Sequence, residues 1–335
     1  MTALRYITLS LLLLLSCEKK GVDVMNDWPW EDPVDGTLEN WTDVSSSYGS
    51  LPEYIRIYKS PSTLEDKKAI AFIAVADMNS ASWDIWSIND SEMSGTSDSF
   101  KTPSTVYAEG EWPVVINAGF FYSSEGKNYS SSLVVRNSAV LAYNINYASE
   151  DWKTIYYPTR AAFCEGTDGT FDACWTYYGS EGHFMYPSPA ANTWAAKPQQ
   201  QPSASFPSGA KEFAAKTAIG GGPVLINQGN FVDSYVQELF NGNSGIGPDG
   251  NQPRTAIGLT SDNKMILFVC EGRGMTDGVY GMTTADVANV LLDLGCVEAI
   301  NLDGGGSSCM LVNGMETIKV SDGSQRRVGS TIMIK

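Results

Sequence analysis

The sequence holds a single histidine, His183, and no two cysteines in C-x-x-C spacing. One imidazole excludes a His-rich zinc site, and any Ser-His-Asp or Cys-His mechanism would have to use it. The cysteine spacing gives no redox or zinc role. Basic residues are scarce, with 22 Lys and Arg against 38 Asp and Glu, for a net charge of −16. Such a field repels nucleic acid and anionic lipid surfaces, so no nucleic-acid partner is expected. It also repels a phosphodiester at long range. Any phosphate site must therefore be built from local arginines and backbone N–H groups. The apolar run at residues 9–15, broken only by Ser10, is too short to span a bilayer.

What is there starts with a targeting segment. Arg5 gives a positive n-region, residues 9–15 the apolar stretch, and Leu14-Leu15-Ser16-Cys17 resembles a bacterial lipobox. Cleavage before Cys17 would leave a lipidated cysteine; an ordinary secretory signal is the other reading. Both put the mature protein outside the cytoplasm, where disulfides are allowed. The expected order is a lipoprotein signal peptide over residues 1–17, a tether over 18–51 and one large domain over 52–335. The lipid on Cys17 would be the only membrane contact, holding the protein in the bacterial cell envelope. Five cysteines remain, so at least one thiol is free in a monomer. Cys164 and Cys174 flank an Asp168-Gly169 turn and could face each other across a hairpin.

Beyond the tether, residues 54–58 and 69–76 read as strands, and 89–105 as a Ser/Asp/Thr-rich loop. Residues 112–117 form a buried strand that delivers Asn117 to its end. Residues 132–141 read as a hairpin, and the same strand–turn grammar recurs at 224–229 and 310–314. Arg160 and Arg254 each precede a turn aspartate by eight residues, Asp168 and Asp262. That repetition divides the domain into two related halves, 117–178 and 220–273, with Arg160 and Arg254 flanking one cleft. Residues 179–211 read as irregular, a lid or binding loop in which His183, Phe184, Tyr186 and Trp194 either line a sugar site or simply pack. The fold class that follows is α+β, with mixed, mostly antiparallel sheet from the two halves and helices packed on it.

The most informative stretch is Ala299-Ile300-Asn301-Leu302-Asp303-Gly304-Gly305-Gly306-Ser307-Ser308. Ahead of it, Val287, Val290, Leu291 and Leu294 fall on one helical face. Thr283 with Asp286 makes a capping box, and Gly295 a C-cap. The spacing predicts a helix over 283–294, a short strand, and Asp303 at the strand's end. Three glycines are costly unless the backbone needs positive φ or close approach. Their N–H groups suit an anion. A second triple glycine, Gly220-Gly221-Gly222, precedes the strand at 224, so Gly222 could add backbone donors to the same place. Asn117 would either satisfy its own turn or donate to a sugar hydroxyl or phosphate oxygen. Arg254 is a phosphate candidate because a guanidinium presents a fork to two oxygens.

These motifs resemble the phosphodiester glycosidase family. Asn301 to Ser308 carries the resemblance, together with Asn117-Ala118-Gly119-Phe120-Phe121, Gly220-Gly221-Gly222-Pro223, Pro253-Arg254-Thr255-Ala256-Ile257-Gly258 and Glu271-Gly272-Arg273 followed by Gly281-Met282-Thr283. It covers roughly residues 110–335. Glu271, where aspartate is the more usual residue, is one departure; the long segment after the first motif is another. The resemblance implies hydrolysis of a sugar-1-phosphate diester, in surface or host-derived glycans, by an exported enzyme. Glycosidases generally use two carboxylates, which assigns Asp303 as base or nucleophile and Glu271 as its partner. Arg254, Arg273 and the Gly304, Gly305 and Gly306 backbone would hold phosphate charge. Arg160 would assist, and Thr284, Ser307 and Ser308 would support by hydrogen bonds. A divalent metal such as calcium or magnesium on Asp303 is a possible cofactor. The competing readings are a non-catalytic glycan-binding lipoprotein and a transferase of surface-polymer assembly. The nine Trp and sixteen Tyr suit sugar stacking in each case.

Overall fold

Alternating and fully apolar strand segments, separated by Gly, Asn and Asp turns, produce three large antiparallel sheets and two two-stranded ribbons among the described residues. The structure, a computed structural model, describes residues 38–88, 99–242 and 244–335. The expected signal peptide over residues 1–17, with Cys17, and most of the expected tether over 18–51 lie outside the described residues. The large sheet has eight strands, the second seven and the third five. Every strand pairing among the described residues is antiparallel. The α+β expectation therefore holds with strands dominant and with no parallel component.

One core lies between the sheets. It joins Ile257, Leu267 and Ile300 of the large sheet, Phe163, Trp175 and Ile219 of the second, and Ile85, Ile116 and Ile332 of the third. The large sheet is buried on both faces at Arg254–Thr260 and Lys264–Cys270, and helix Thr284–Asp293 covers its other side at Val224–Asn227, Cys296–Asn301 and Arg254–Thr260, burying Val287, Ala288, Val290 and Leu291. That helix is capped as its sequence predicts, with the Thr283–Asp286 box formed and Gly295 at φ +79°. A second helix, Pro103–Gly110, lies partly in the stretch read as a loop. Thr102 caps it and Pro103 opens it, a start signal hidden in Ser/Thr-rich sequence. Within the segment read as irregular, Gly182–Tyr186 is a strand paired to Phe171–Gly179. The last part of the segment read as tether is docked: Thr42–Asp43 pairs with Ile55–Lys59 at the edge of the large sheet.

Where two related halves were expected, 117–178 and 220–273, the sheets show three equivalent units with other bounds. Each unit is a short hairpin, a strand, its neighbour, and a motif strand that inserts between the hairpin and the following strand. In the second sheet these are Val134–Arg136 with Ala139–Ala142, then Arg160–Glu165, Phe171–Gly179 and motif strand Thr217–Gly220. In the large sheet they are Val224–Asn227 with Asn230–Phe231, then Arg254–Thr260, Lys264–Cys270 and motif strand Cys296–Asn301. In the third sheet they are Met310–Val312 with Met315–Glu316, then Ser330–Ile334, Trp83–Ser87 and motif strand Val114–Asn117. The spatial order is the same in all three. The third-sheet unit is made from both ends of the described chain, which hides it from a linear reading.

The hydrogen bonds repeat with the units. The last motif residue donates to the strand beside it: Asn117 N to Cys309 O (3.1 Å), Gly220 N to Leu133 O (2.7 Å), Asn301 N to Pro223 O (2.9 Å). Its successor donates to the other side: Ala118 N to Ser330 O (3.1 Å), Gly221 N to Ala161 O (3.3 Å), Leu302 N to Thr255 O (2.8 Å). Side chains follow suit. Asn117 Oδ1 accepts from Cys309 N at 3.0 Å. Gly220 has no side chain, and Asn144 reaches in to accept from Leu133 N at 2.8 Å. Asn301 Oδ1 is buried without a partner, because its counterpart residue is Pro223, which has no N–H.

Asn117→Ala would strip the Asp303 carbonyl and the buried Cys309 N–H of side-chain partners and leave the Thr255 hydroxyl to Ser308 alone. The expected cost is roughly 2–4 kcal/mol of unfolding free energy, read from the urea midpoint. A loss below about 1 kcal/mol would contradict this account.

Candidate active site

Asp303 is delivered by strand Cys296–Asn301 and pinned from two sides. Its N–H donates to Ala118 O at 2.8 Å, and Asn117 Nδ2 donates to its carbonyl at 2.6 Å. Its carboxyl joins the wall of a cavity of about 680 Å³. Burial pushes its pKa up to about 6, against opposing pulls from the Ser307 hydroxyl, the Arg326 charge and the Gly304 N–H. A carboxylate poised there can take or give a proton near neutral pH, or attack as a nucleophile.

The glycine run lets two arginines approach. Gly305 has φ +59°, and a Cβ there would lie 2.7 Å from Arg273 Nη2. A Cβ on Gly306 would lie 2.1 Å from Arg326 Nη2. Asp322 holds Arg326 through Nε at 3.0 Å and Nη2 at 2.6 Å, and stands 3.7 Å from Arg273 Nη1. Gln252 accepts from Arg273 Nε at 3.0 Å. Both side chains stay partly exposed, and both arginines line the cavity. One carboxylate shared between two guanidiniums leaves a net positive edge beside Asp303. The turn spends several of its N–H groups internally: Gly304 N on the Asp303 carboxyl, and Gly305 N, Ser307 N and Ser308 N on the carbonyls of Pro253, Gly304 and Gly305.

Arg254 and Arg160 also line the cavity, as their equivalent positions implied. Arg254 is committed elsewhere. It donates through Nε to Met282 O (2.8 Å), through Nη1 to Ile246 O (3.0 Å), and through Nη2 to Gly247 O (2.6 Å) and Gly250 O (2.7 Å). Its work is to hold residues 246–250 against the sheet, which corrects its expected role as the phosphate fork. Arg160 donates to Glu238 O and sits 4.2 Å over the Phe240 ring. Its Nε has no partner, and burial lowers its pKa to about 10 against the pull of Glu238. Burial in turn raises Glu238 to about 7, opposed chiefly by Ser234, Val224 N and Ala161 N.

Several expected site residues stand back from the cavity. Glu271 is buried, accepts from Lys319 N at 3.0 Å through Oε1, and leaves Oε2 without a partner. It does not share a side with Arg273, because the strand ends at Cys270 and Arg273 takes φ +56°, which breaks the alternation. Asn117 spends both ends of its amide on protein groups. Ser308 accepts from Thr255 Oγ1 at 3.2 Å. Thr284 donates to Asp233 Oδ2 at 3.0 Å, where burial lifts the aspartate to about 6 despite Thr284 and Arg254. Gly222 packs so closely on Phe240 that a Cβ would lie 2.1 Å from the ring; its neighbour Gly221 lines the cavity instead. Ser307 stands beside Asp303, its hydroxyl hydrogen-bonded to the carboxyl. His183 stacks on Phe213 at 4.1 Å, outside the cavity wall. Cys174 lies opposite Ala162, so Cys164 is its diagonal neighbour, with the sulfurs 4.0 Å apart and both thiols free.

Sequence reasoning missed Arg326, its partner Asp322, and Phe240, Tyr147 and Trp152 of the aromatic wall, which Phe120 and Trp194 complete. Arg326 lies in Gln325-Arg326-Arg327, a pair of exposed cations with no motif around it. As to the divalent metal, no group of three or more His, Cys, Asp or Glu side chains gathers among the described residues. The nearest charge on Asp303 is the cation Arg326. This donor set does not fit a divalent ion.

A family model described as phosphodiester glycosidase matches residues 137–335. A Bacillus subtilis (strain 168) protein, the SPbeta prophage-derived uncharacterized protein YomE, is 39% identical over 82 residues. That stretch is 24% of this chain and 12% of YomE, so the match spans a small part of that relative. Solved structures share the fold at low identity. A hypothetical protein from Synechocystis aligns with TM-score 0.55 and 18% identity over 85% of this chain and 64% of its own. The zebrafish N-acetylglucosamine-1-phosphodiester alpha-N-acetylglucosaminidase catalytic domain, auto-inhibited by its pro-peptide, aligns with TM-score 0.51 and 18% identity over 88% and 81%. A Burkholderia pseudomallei protein aligns with TM-score 0.53 and 16% identity over 86% and 76%.

The raised Asp303 pKa has a signature in stability. The folded state holds its proton at pH values where the unfolded chain has released it, so stability is lost as pH rises from about 4 to about 6. Relative to Asp303→Asn, the parent should lose up to about 3 kcal/mol between pH 4 and pH 7. Parallel urea titrations at both pH values measure it. No difference between the two proteins would mean that burial does not perturb this carboxyl.

Proposed function

The chain belongs to the phosphodiester glycosidase family, and from that premise we propose that it hydrolyses the bond between a sugar C1 and a phosphodiester oxygen. We place it outside the cytoplasm, held at the bacterial cell envelope by a lipidated Cys17, with surface or host-derived phosphoglycans as substrates. The observation that carries the reading is Asp303. Its carboxyl has a raised pKa and stands in a cavity wall beside Arg273 and Arg326. Phosphate charge would sit against those two guanidiniums, whose mutual repulsion Asp322 relieves.

The chemistry can be written with one carboxylate. A phosphodiester leaving group departs as a stabilised anion, so the general acid of an ordinary glycosidase is not required. Ionised Asp303 either attacks the anomeric carbon, forming a glycosyl ester that water then cleaves at C1 to return the carboxylate, or takes a proton from the water that attacks C1 directly; in both cases it stabilises positive charge on the sugar ring. The C–O bond electrons leave with phosphate, where Arg273 and Arg326 meet the charge. The water oxygen ends on C1, giving a free sugar and a phosphomonoester. That mechanism does without Glu271, which stands outside the cavity wall.

The test is release of free sugar from a synthetic sugar-1-phosphate diester. Asp303→Asn should cut kcat by about 10³-fold or more, and Arg326→Ala should lower kcat/KM by roughly 10²-fold. The parent's kcat/KM should climb through about pH 6 as Asp303 ionises. Unchanged release in Asp303→Asn would remove this mechanism. Glycan binding with no release by the parent would favour a binding protein.

A further inference from the structure

The loop over residues 143–157 joins the hairpin of the second-sheet unit to Arg160–Glu165. The proposed chemistry uses none of it, yet Ile145, Tyr147, Ala148, Ser149, Glu150 and Trp152 all line the cavity. Trp152 is 78% exposed, the most exposed large hydrophobic side chain among the described residues, and Tyr147 is 41% exposed. Leaving an indole in water forgoes a large burial gain. The backbone under it is strained as well, since Trp152 has φ +57°, unusual for a bulky residue.

The loop is nevertheless rigidly held. Asp151 accepts from Lys153 N at 2.8 Å and Thr154 N at 2.7 Å, which fixes the turn that presents the indole. Ala148 and Tyr156 exchange two backbone hydrogen bonds of 2.9 Å. The Tyr156 hydroxyl donates to Ala196 O at 3.0 Å, its ring meets Trp194 edge-on at 5.1 Å, and Trp194 Nε1 donates to Asn241 O at 3.2 Å. A pre-set exposed ring at a cavity rim binds a flat partner at little ordering cost.

We propose that this rim is a second sugar subsite, in which Trp152 stacks on a neutral sugar ring adjoining the cleaved unit and Glu150 accepts its hydroxyls. The substrate is then an oligomeric phosphoglycan and not a single sugar on a small diester. The inference rests on the phosphodiester glycosidase reading for what the neighbouring cavity does. A nucleobase is the other flat partner an indole could take. The local charge opposes it, because Glu150 and Asp151, which precede Trp152, outnumber Lys153, which follows it, and would disfavour a nucleotide's phosphates. Carboxylates beside an aromatic face suit hydroxyl-rich, uncharged rings.

The test uses phosphate-free ligands, so it does not depend on hydrolysis. Full-length Asp303→Asn is titrated calorimetrically with neutral gluco-, manno- and galacto-oligosaccharides of increasing length, and with a UDP-sugar. At least one oligosaccharide series should bind more tightly as it lengthens. Adding Trp152→Gly, which keeps the loop's positive φ without the ring, should weaken that binding roughly tenfold. Trp152→Tyr should restore most of it. Equal affinity with and without the ring, or no oligosaccharide binding at all, would overturn the subsite. So would UDP-sugar binding that depends on Trp152 without any oligosaccharide binding. Free-sugar release from a small diester would still stand or fall separately, through Asp303.

Discussion

The structure depends on hydrogen bonds made where three strands end together. Asn117 is the clearest case. Its amide takes the Cys309 N–H and the Thr255 hydroxyl on one side and gives a bond to the Asp303 carbonyl on the other. Gly222 N and Asn301 O meet at 2.7 Å nearby, and Asn301 Nδ2 returns a bond to Gly222 O at 2.8 Å. Backbones this close leave no room for side chains, so glycine is a steric requirement there. A Cβ on Gly221 would come within 2.4 Å of Asn301 O. The catalytic candidate is thus fixed by two neighbouring units in addition to its own strand.

Electrostatics around this junction run against the rest of the molecule. The chain carries a net charge of −16, yet Arg160, Arg254, Arg273 and Arg326 all face one cavity. They do different things there. Arg254 is saturated by carbonyls and shapes a loop, Arg160 is buried over an aromatic ring, and the other two share one carboxylate and keep an exposed edge. Negative charge elsewhere disfavours polyanions at long range, so a phosphodiester would be recognised at contact distance.

Much of this was legible in the chain. Thr283 and Asp286 marked the helix start, and the apolar run before Asp303 marked the strand that carries it. The hairpin grammar at 132–141, 224–229 and 310–314 held all three units, although the arginine spacing pointed to two. What was hidden has physical causes. Strand alternation placed Glu271 beside Arg273, and one left-handed residue undid it. Arg326 and Asp322 reach the site through an irregular segment whose path no periodicity reports. Trp152 carried no signal because exposure cannot be read from residue type. Asn117 sat where expected, but its polar atoms were already taken by backbone.

The third-sheet unit has a consequence in time. Its strands Trp83–Ser87 and Val114–Asn117 are made early, while Ser330–Ile334, which pairs with both, is the last strand of the described chain. Ala118, which accepts from Asp303, is itself held by Ser330. A chain emerging from its N-terminal end can complete the other two sheets first, but it cannot close this ring until residue 330 and its neighbours arrive. Ala118, one of the two groups that pin Asp303, lacks its own anchor until then, so the third-sheet side of the site would be completed last.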